Sequence, residues 1–181
     1  MSQVLARSTP AATQETAWAN GTRPLRLNAY PEVTQLPDEL VVSVRCLVKV
    51  EDQVVVCTSL DGLRHAWPGG RRQPGESFAE TAAREVEEET GWLLSPGSFR
   101  LLGWLHIEHL GPVPEDHPYP HPDFCQVVGV AQAVERRGGA DAEWTDTEGY
   151  EVSSELMPVR DAERAVDGEP LGRVFLAMLS D

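Results

Sequence analysis

Between Gly70 and Trp92 the chain reads GRRQPGESFAETAAREVEEETGW, a glycine-containing turn running into a single helix. Ser77 followed three residues later by Glu80 is the pattern of a capping box, so the helix is expected to begin just after Ser77. Gly91 stands where a left-handed C-terminal cap belongs. Phe78, Ala82, Val86 and Thr90 recur at every fourth residue, which makes Val86 the natural core-facing position. Glu85, Glu88 and Glu89 are related by i, i+3 and i+4, so they share a face.

That face is costly when left alone. Like charges four apart destabilise a helix by roughly a few tenths of a kcal/mol per pair, and they raise one another's pKa values. A hard divalent cation relieves both effects. Mg²⁺ favours carboxylate oxygens, keeps several of its waters and commonly binds substrate phosphates as well. The plainer reading is a solvated acidic helix face, which is what most charge runs are.

The spacing across the whole stretch decides between the two. Gly70 is followed after five residues by Glu76, and after seven more by Arg84-Glu85-Val86. One residue later come Glu88-Glu89, and one further on Gly91 and an apolar residue. This resembles the Nudix box, the signature of the Nudix hydrolases, at every fixed polar and glycine position. The departure is Trp92, where the family usually has an aliphatic residue; that position only packs against the core.

The resemblance implies an α+β protein with the Nudix fold, a mixed β-sheet sandwiched between α-helices, over roughly residues 36–181. A single domain is expected at 23–181, behind a loose tail at 1–22 rich in Ser, Thr, Ala and Gln. The resemblance also implies an acid anhydride hydrolase that cleaves the phosphoanhydride of a nucleoside diphosphate linked to another group. Its substrate is a small nucleotide: a nucleoside triphosphate, ADP-ribose, a dinucleotide or a nucleotide sugar. The implied cofactor is Mg²⁺, with Mn²⁺ as a substitute. A pyrophosphate repels an incoming nucleophile, and metal ions neutralise that charge, bridge the phosphates and acidify a water.

Glu85, Glu88 and Glu89 are the expected catalytic metal ligands, and either Glu88 or Glu89 could instead hold the nucleophilic water. Glu76 is a further ligand or a supporting carboxylate. Arg84 is expected to orient a box carboxylate through a bidentate contact. Arg71 and Arg72 are candidates for phosphate, Gly70 shapes the loop around substrate, and Tyr119 could stack on a base or pack under its own loop. Some relatives keep the general base outside the box; Asp146, Glu148, Glu151 and Glu155 are the candidates here, with no choice among them.

With 15 basic and 29 acidic side chains, the 181-residue chain has a formal net charge of −14. Such a surface argues against non-specific nucleic-acid binding and against docking on anionic membranes. It also counts against an RNA-cap hydrolase, which needs a basic surface. Cys46, Cys57 and Cys125 match no zinc spacing and no paired framework; Cys46 and Cys57 lie in apolar runs and read as buried small hydrophobes. A reducing cytoplasm fits them. The first residues lack the apolar stretch of a signal peptide, and no apolar run approaches membrane-spanning length. A homodimer is left open.

Around the box, strands are expected at Leu25–Leu27, Leu40–Val50, Val54–Leu60, Leu63–Trp67, Phe99–His109 and Phe124–Glu135, with a short one at Tyr150–Val152. Glu51-Asp52-Gln53 turns the second into the third as a hairpin. Two helices should close the chain, one with Val159, Ala162, Ala165 and Val166 on a face, the other with a stripe of Leu171, Val174, Phe175, Met178 and Leu179. Between His109 and Phe124 five prolines forbid regular structure. Within that loop Pro118-Tyr119-Pro120-His121-Pro122 faintly resembles the proline–aromatic motif of the NADH pyrophosphatase-like branch, but Asp116-His117 replaces the usual Ser-Gln lead. A reading from another class is a non-hydrolysing Nudix-fold sensor; such sensors often show broken boxes and an attached DNA-binding domain, whereas this box is complete.

Overall fold

The computed structural model of the chain describes all residues except 19, 20, 140, 141, 148, 167 and 181. In chain order the elements are α1 (Ser2–Leu5), β1 (Ala12–Trp18), β2 (Arg23–Tyr30), β3 (Val41–Val50), β4 (Gln53–Ser59), β5 (Arg64–His65), α2 (Phe78–Thr90), β6 (Trp92–Leu94), β7 (Arg100–His109), β8 (Asp123–Arg136), β9 (Glu151–Pro158), α3 (Val159–Ala165) and α4 (Pro170–Ala177). The main sheet runs β1-β2-β7-β8-β3-β4-β5, with β6 added on β8 and β9 on β4. β3 and β8 are parallel and the other pairs antiparallel, so the sheet is mixed.

Strand alternation divides the core into two layers. From β3, Val44, Cys46 and Val48 pack with Ala82 and Val86 of α2. Leu47, between them, joins the opposite cluster with Ala162 of α3 and Leu171, Phe175 and Leu176 of α4. The sheet is thus held between α2 on one face and α3 and α4 on the other, the expected sandwich. No described helix is long and apolar enough to cross a membrane.

One edge of β3 positions the glycine loop. Only Lys49 and Val50 pair with β4, at Val54 and Gln53. β4 then leaves β3 and runs along β9 from Gln53 to Ser59. The edge of β3 that this opens is taken by the loop. Val44 N–H donates to the Gly70 carbonyl at 3.0 Å, Cys46 N–H to that of Pro68 at 2.9 Å, and Arg72 N–H to that of Val42 at 2.9 Å.

Four expectations change. Residues 12–18 of the supposed tail form β1, whose partner is β2 from Ala12↔Ala29 to Trp18↔Arg23. This is an edge strand whose largely exposed side chains give no apolar alternation, and backbone pairing supplies what the pattern lacks. β6 follows the Gly91 cap directly and is too short to show a period. β9 extends to Pro158, well beyond the Tyr150–Val152 expectation. In α4 the buried residues are Leu171, Gly172, Phe175 and Leu176, while Met178 is exposed. The helix ends at Ala177, where Met178 N–H turns to the carbonyls of Phe175 and Leu176, so Met178 leaves the helical stripe.

Candidate active site

The helix begins and ends as its residues dictate. Ser77 caps α2 by accepting from Glu80 N–H, and the Glu80 carboxylate accepts from Ser77 N–H at 2.8 Å, completing the capping box. Gly91 closes it at φ 74°. A side chain at Gly91 would also collide with the Trp144 ring, since a Cβ there would lie 2.7 Å from it. Ala82 and Val86 anchor the inner face, and Arg84, Glu85 and Glu89 meet the glycine loop.

Arg84 is the hub. Its Nε and Nη2 donate to the two oxygens of Glu76 at 2.7 and 3.0 Å, the bidentate contact expected of it. Nη1 donates to Glu85 at 2.7 Å and to Glu88 at 3.0 Å, and Nη2 also reaches the Arg71 carbonyl at 2.9 Å. Glu76 further accepts from Thr81 Oγ1 and Gln73 N–H, both at 2.9 Å. The Arg84 guanidinium, more than any other group, holds the Glu76 carboxyl down at about 2. Glu76 is therefore engaged in fixing the loop–helix junction, and Glu85 and Glu88 share the remaining Arg84 nitrogen.

Glu89 is set apart. Its Oε2 accepts from Gly69 N–H at 2.8 Å. Burial pushes its carboxyl up to about 8; Arg45 opposes the rise, and the charges of Glu151 and Glu85 add to it. Arg45 comes from β3 and donates to the Gly69 carbonyl. Sequence reasoning missed it, although a lone arginine inside the apolar run LVVSVRCLVKV is a visible signal.

Two glycines bring the loop this close. At Gly69, φ is 145°, and a Cβ would lie 2.1 Å from the Val44 carbonyl oxygen. At Gly70 a Cβ would lie 2.3 Å from Glu85 Oε2, so the missing side chain is the room that Glu85 occupies.

The raised Glu89 carboxyl has a sign that can be checked. Between the ordinary carboxylate value near 4.5 and about 8, folded Glu89 keeps a proton that the unfolded chain gives up. Stability of the chelator-treated protein should then fall as pH rises through that window, by several degrees in Tm. Below it Glu76, held low, acts oppositely: its contribution is lost as pH falls from about 4.5 toward 2. Thermal melts in chelator from pH 4 to 9 should show the decline in the wild type and a flatter curve in Glu89→Gln; parallel curves refute the assignment.

The carboxylates beyond the helix separate by position. Asp146 is buried and accepts from Tyr150 and Glu151 N–H at 2.6 and 2.8 Å, capping the start of β9. Glu151 lies beside His65, with His65 Nε2 2.8 Å from its Oε1, and its charge reaches Glu89. Glu155 is exposed and paired with Arg64. Glu148 lies outside the described residues. Trp144, unsuspected from sequence, donates from Nε1 to the Glu88 carbonyl at 3.0 Å and fastens this loop to the end of α2.

Of the candidate substrate residues, Arg71 and Tyr119 are brought together. Arg71 donates to the Tyr119 hydroxyl at 2.8 Å, and Tyr119 stacks on Phe124 with centroids 5.0 Å apart. Arg72 instead holds the loop: it donates to Asp38 and to the carbonyls of Val41 and Glu76, and its guanidinium lies over Phe78.

The helical carboxylates have the donor chemistry of a hard divalent cation, although among the described residues their oxygens are not drawn within 4.8 Å of one another as a set of three. Their donors are all oxygen, and Glu89 sits buried among acidic neighbours in a state that a cation would relieve.

The family model of the NUDIX domain matches residues 39–178. The mouse (Mus musculus) protein nucleoside diphosphate-linked moiety X motif 6 is 35% identical over 107 residues, 57% of this chain; the match spans 31% of that protein, about a third of its length. A NUDIX hydrolase from Nitrosomonas europaea superposes with a TM-score of 0.54 at 20% identity, covering 76% of this chain and 86% of that one. A mutant of the Bacillus subtilis pyrophosphohydrolase BsRppH gives 0.51 at 18%, covering 80% and 77%. These two structures share the fold, and the sequence match reaches across the box and both helical layers: the chain belongs to the Nudix hydrolase family.

Proposed function

We propose that this chain hydrolyses a phosphoanhydride bond in a small nucleoside diphosphate derivative, with Mg²⁺, or Mn²⁺ in its place, held by Glu85, Glu88 and Glu89. The observation that carries this reading is the set of helical carboxylates gathered by Arg84 and the glycine loop, with buried Glu89 kept near 8 until a cation compensates it. The bound cation supplies charge neutralisation on the pyrophosphate and a water acidified for attack. The chain's own residues do the rest. Arg84 fixes Glu85 and Glu88 from a single nitrogen, so their spacing is set before substrate arrives. Glu76 serves as the support that locks Arg84. Buried Glu89, protonated in the cation-free protein, ionises when the cation binds and supplies charge to hold it. The Arg71 guanidinium lies over the Tyr119 ring, which itself stacks on buried Phe124, and it offers a cation for phosphate beside the carboxylates. The name of the mouse relative, a nucleoside diphosphate-linked moiety X motif, agrees with this class.

The test is turnover of a panel of nucleoside triphosphates, ADP-ribose, dinucleotides and nucleotide sugars, with Mg²⁺ and with chelator, scored by product identity. Cation-dependent release of a nucleotide and a phosphorylated remainder is expected from at least one of them. Tight binding of a nucleotide with no cleavage across the panel would overturn the enzyme reading and leave a sensor.

A further inference from the structure

A second group of metal-ligating side chains lies beside the carboxylate helix and has a different chemistry. Cys57 of β4 stands opposite His65 of β5 in the sheet register, and Glu151 enters from β9 opposite Ser59. One donor atom from each lies within 4.8 Å of the others. Among the described residues this is the group of three such donors drawn together on adjacent strands.

The polar atoms there are incompletely matched. His65 Nε2 and Glu151 Oε1 are 2.8 Å apart, and their side chains are only 12% and 7% exposed. Among the described residues, His65 Nδ1 and Glu151 Oε2 are both buried with no hydrogen-bond partner. A buried carboxylate oxygen without a donor is costly, and nothing in the carboxylate hub of Arg84 compensates it. The Cys57 thiol is a free, fully buried cysteine; burial, then the charges of Glu151, Glu89 and Asp146, push its pKa well up. Without a cation it stays a thiol.

We propose that Cys57, His65 and Glu151 form a binding site for a thiophilic divalent cation of the zinc class, separate from the hard-cation site on the helix. The donors are sulfur, imidazole nitrogen and carboxylate oxygen, the set that such ions take. Bonds of about 2.0–2.3 Å place tetrahedral ligands roughly 3.3–3.8 Å apart, so the sulfur would draw inward while the His65–Glu151 pair, 2.8 Å apart without the ion, would open slightly to admit it. On binding, the Cys57 proton leaves to solvent and the thiolate sulfur donates its pair to the cation. Thiolate, carboxylate and neutral imidazole around a divalent ion sum to zero charge, which suits a buried location. A water would complete the fourth position. The cation ties β5 and the start of β9 to β4, and it neutralises Glu151, whose charge otherwise reaches Glu89. The carboxylates of α2, all oxygen, favour Mg²⁺; the three strand donors favour the softer ion.

Cobalt(II) is the probe, added to the full-length protein after chelator treatment, because thiolate ligation produces a sulfur-to-cobalt charge-transfer band in the near ultraviolet. One equivalent should develop the band in the wild type. Cys57→Ser should lose it, His65→Gln should weaken cobalt binding at least about tenfold, and Glu88→Gln should keep it. Absence of the band in the wild type, or its persistence in Cys57→Ser, overturns the site. Should Cys57→Ser fail to fold, His65→Gln decides: undiminished cobalt affinity in that variant refutes the proposal.

Discussion

Glu89→Gln is expected to lower cation-dependent turnover by on the order of a hundredfold or more, with no loss of folded stability in chelator. Glutamine keeps the shape of the side chain and an oxygen for the Gly69 N–H, which lies 2.8 Å from Glu89 Oε2. What it removes is the ability to ionise. In the cation-free protein that loss is a gain, because burial already holds the carboxyl up at about 8 and the neutral form is the one the fold prefers. With Mg²⁺ present the same loss removes a charge proposed to hold the cation. Activity and stability should therefore move in opposite directions, which general misfolding cannot produce. Measuring kcat at saturating Mg²⁺ beside Tm in chelator settles the point; wild-type kcat in Glu89→Gln would remove Glu89 from the chemistry. Glu88→Gln is the companion. Its carboxylate is a third exposed and holds Arg84 at 3.0 Å, so the same drop in turnover is expected without the rise in cation-free stability.

What the sequence reveals of this fold and site depends on the kind of interaction involved. The helix, its caps and the shared face of Glu85, Glu88 and Glu89 are local, set by spacings of three and four residues, and all of them appear in the structure. The strong strands are equally plain where β-branched runs carry their own signal, as in β3 and β8. Long-range pairings are hidden. β1 exists because the edge of β2 accepts it, and Ala12–Trp18 alone gives no hint of that. In the site, Arg45, Trp144 and the His65–Glu151 contact all depend on which distant segments lie side by side. The role of Arg72 illustrates the same limit: its charge is obvious, but its side-chain contacts to Asp38, Val41, Glu76 and the Phe78 ring are visible only in three dimensions.

Adjacent glycines should fail in opposite ways. Gly69→Ala places a Cβ 2.1 Å from a backbone oxygen of β3, at a φ of 145° that side chains rarely tolerate. Neither partner can move without opening the contact between loop and strand, so the expected cost is roughly 2–4 kcal/mol, a Tm drop of about 5–15 °C. At Gly70 the obstacle is different: an added Cβ meets Glu85 Oε2 at 2.3 Å, the far end of a flexible side chain. Gly70 has an ordinary backbone conformation, and Glu85 can swing aside. Gly70→Ala should melt within a few degrees of the wild type, yet need more Mg²⁺ for half-maximal turnover and lose about tenfold or more in rate at limiting cation. Melting curves and Mg²⁺ titrations on the two variants separate loop strain from ligand displacement. If Gly70→Ala melts early and titrates normally, Glu85 is a structural carboxylate rather than a ligand. If it titrates poorly while folding well, the space that glycine leaves open is the space in which a metal ligand is held.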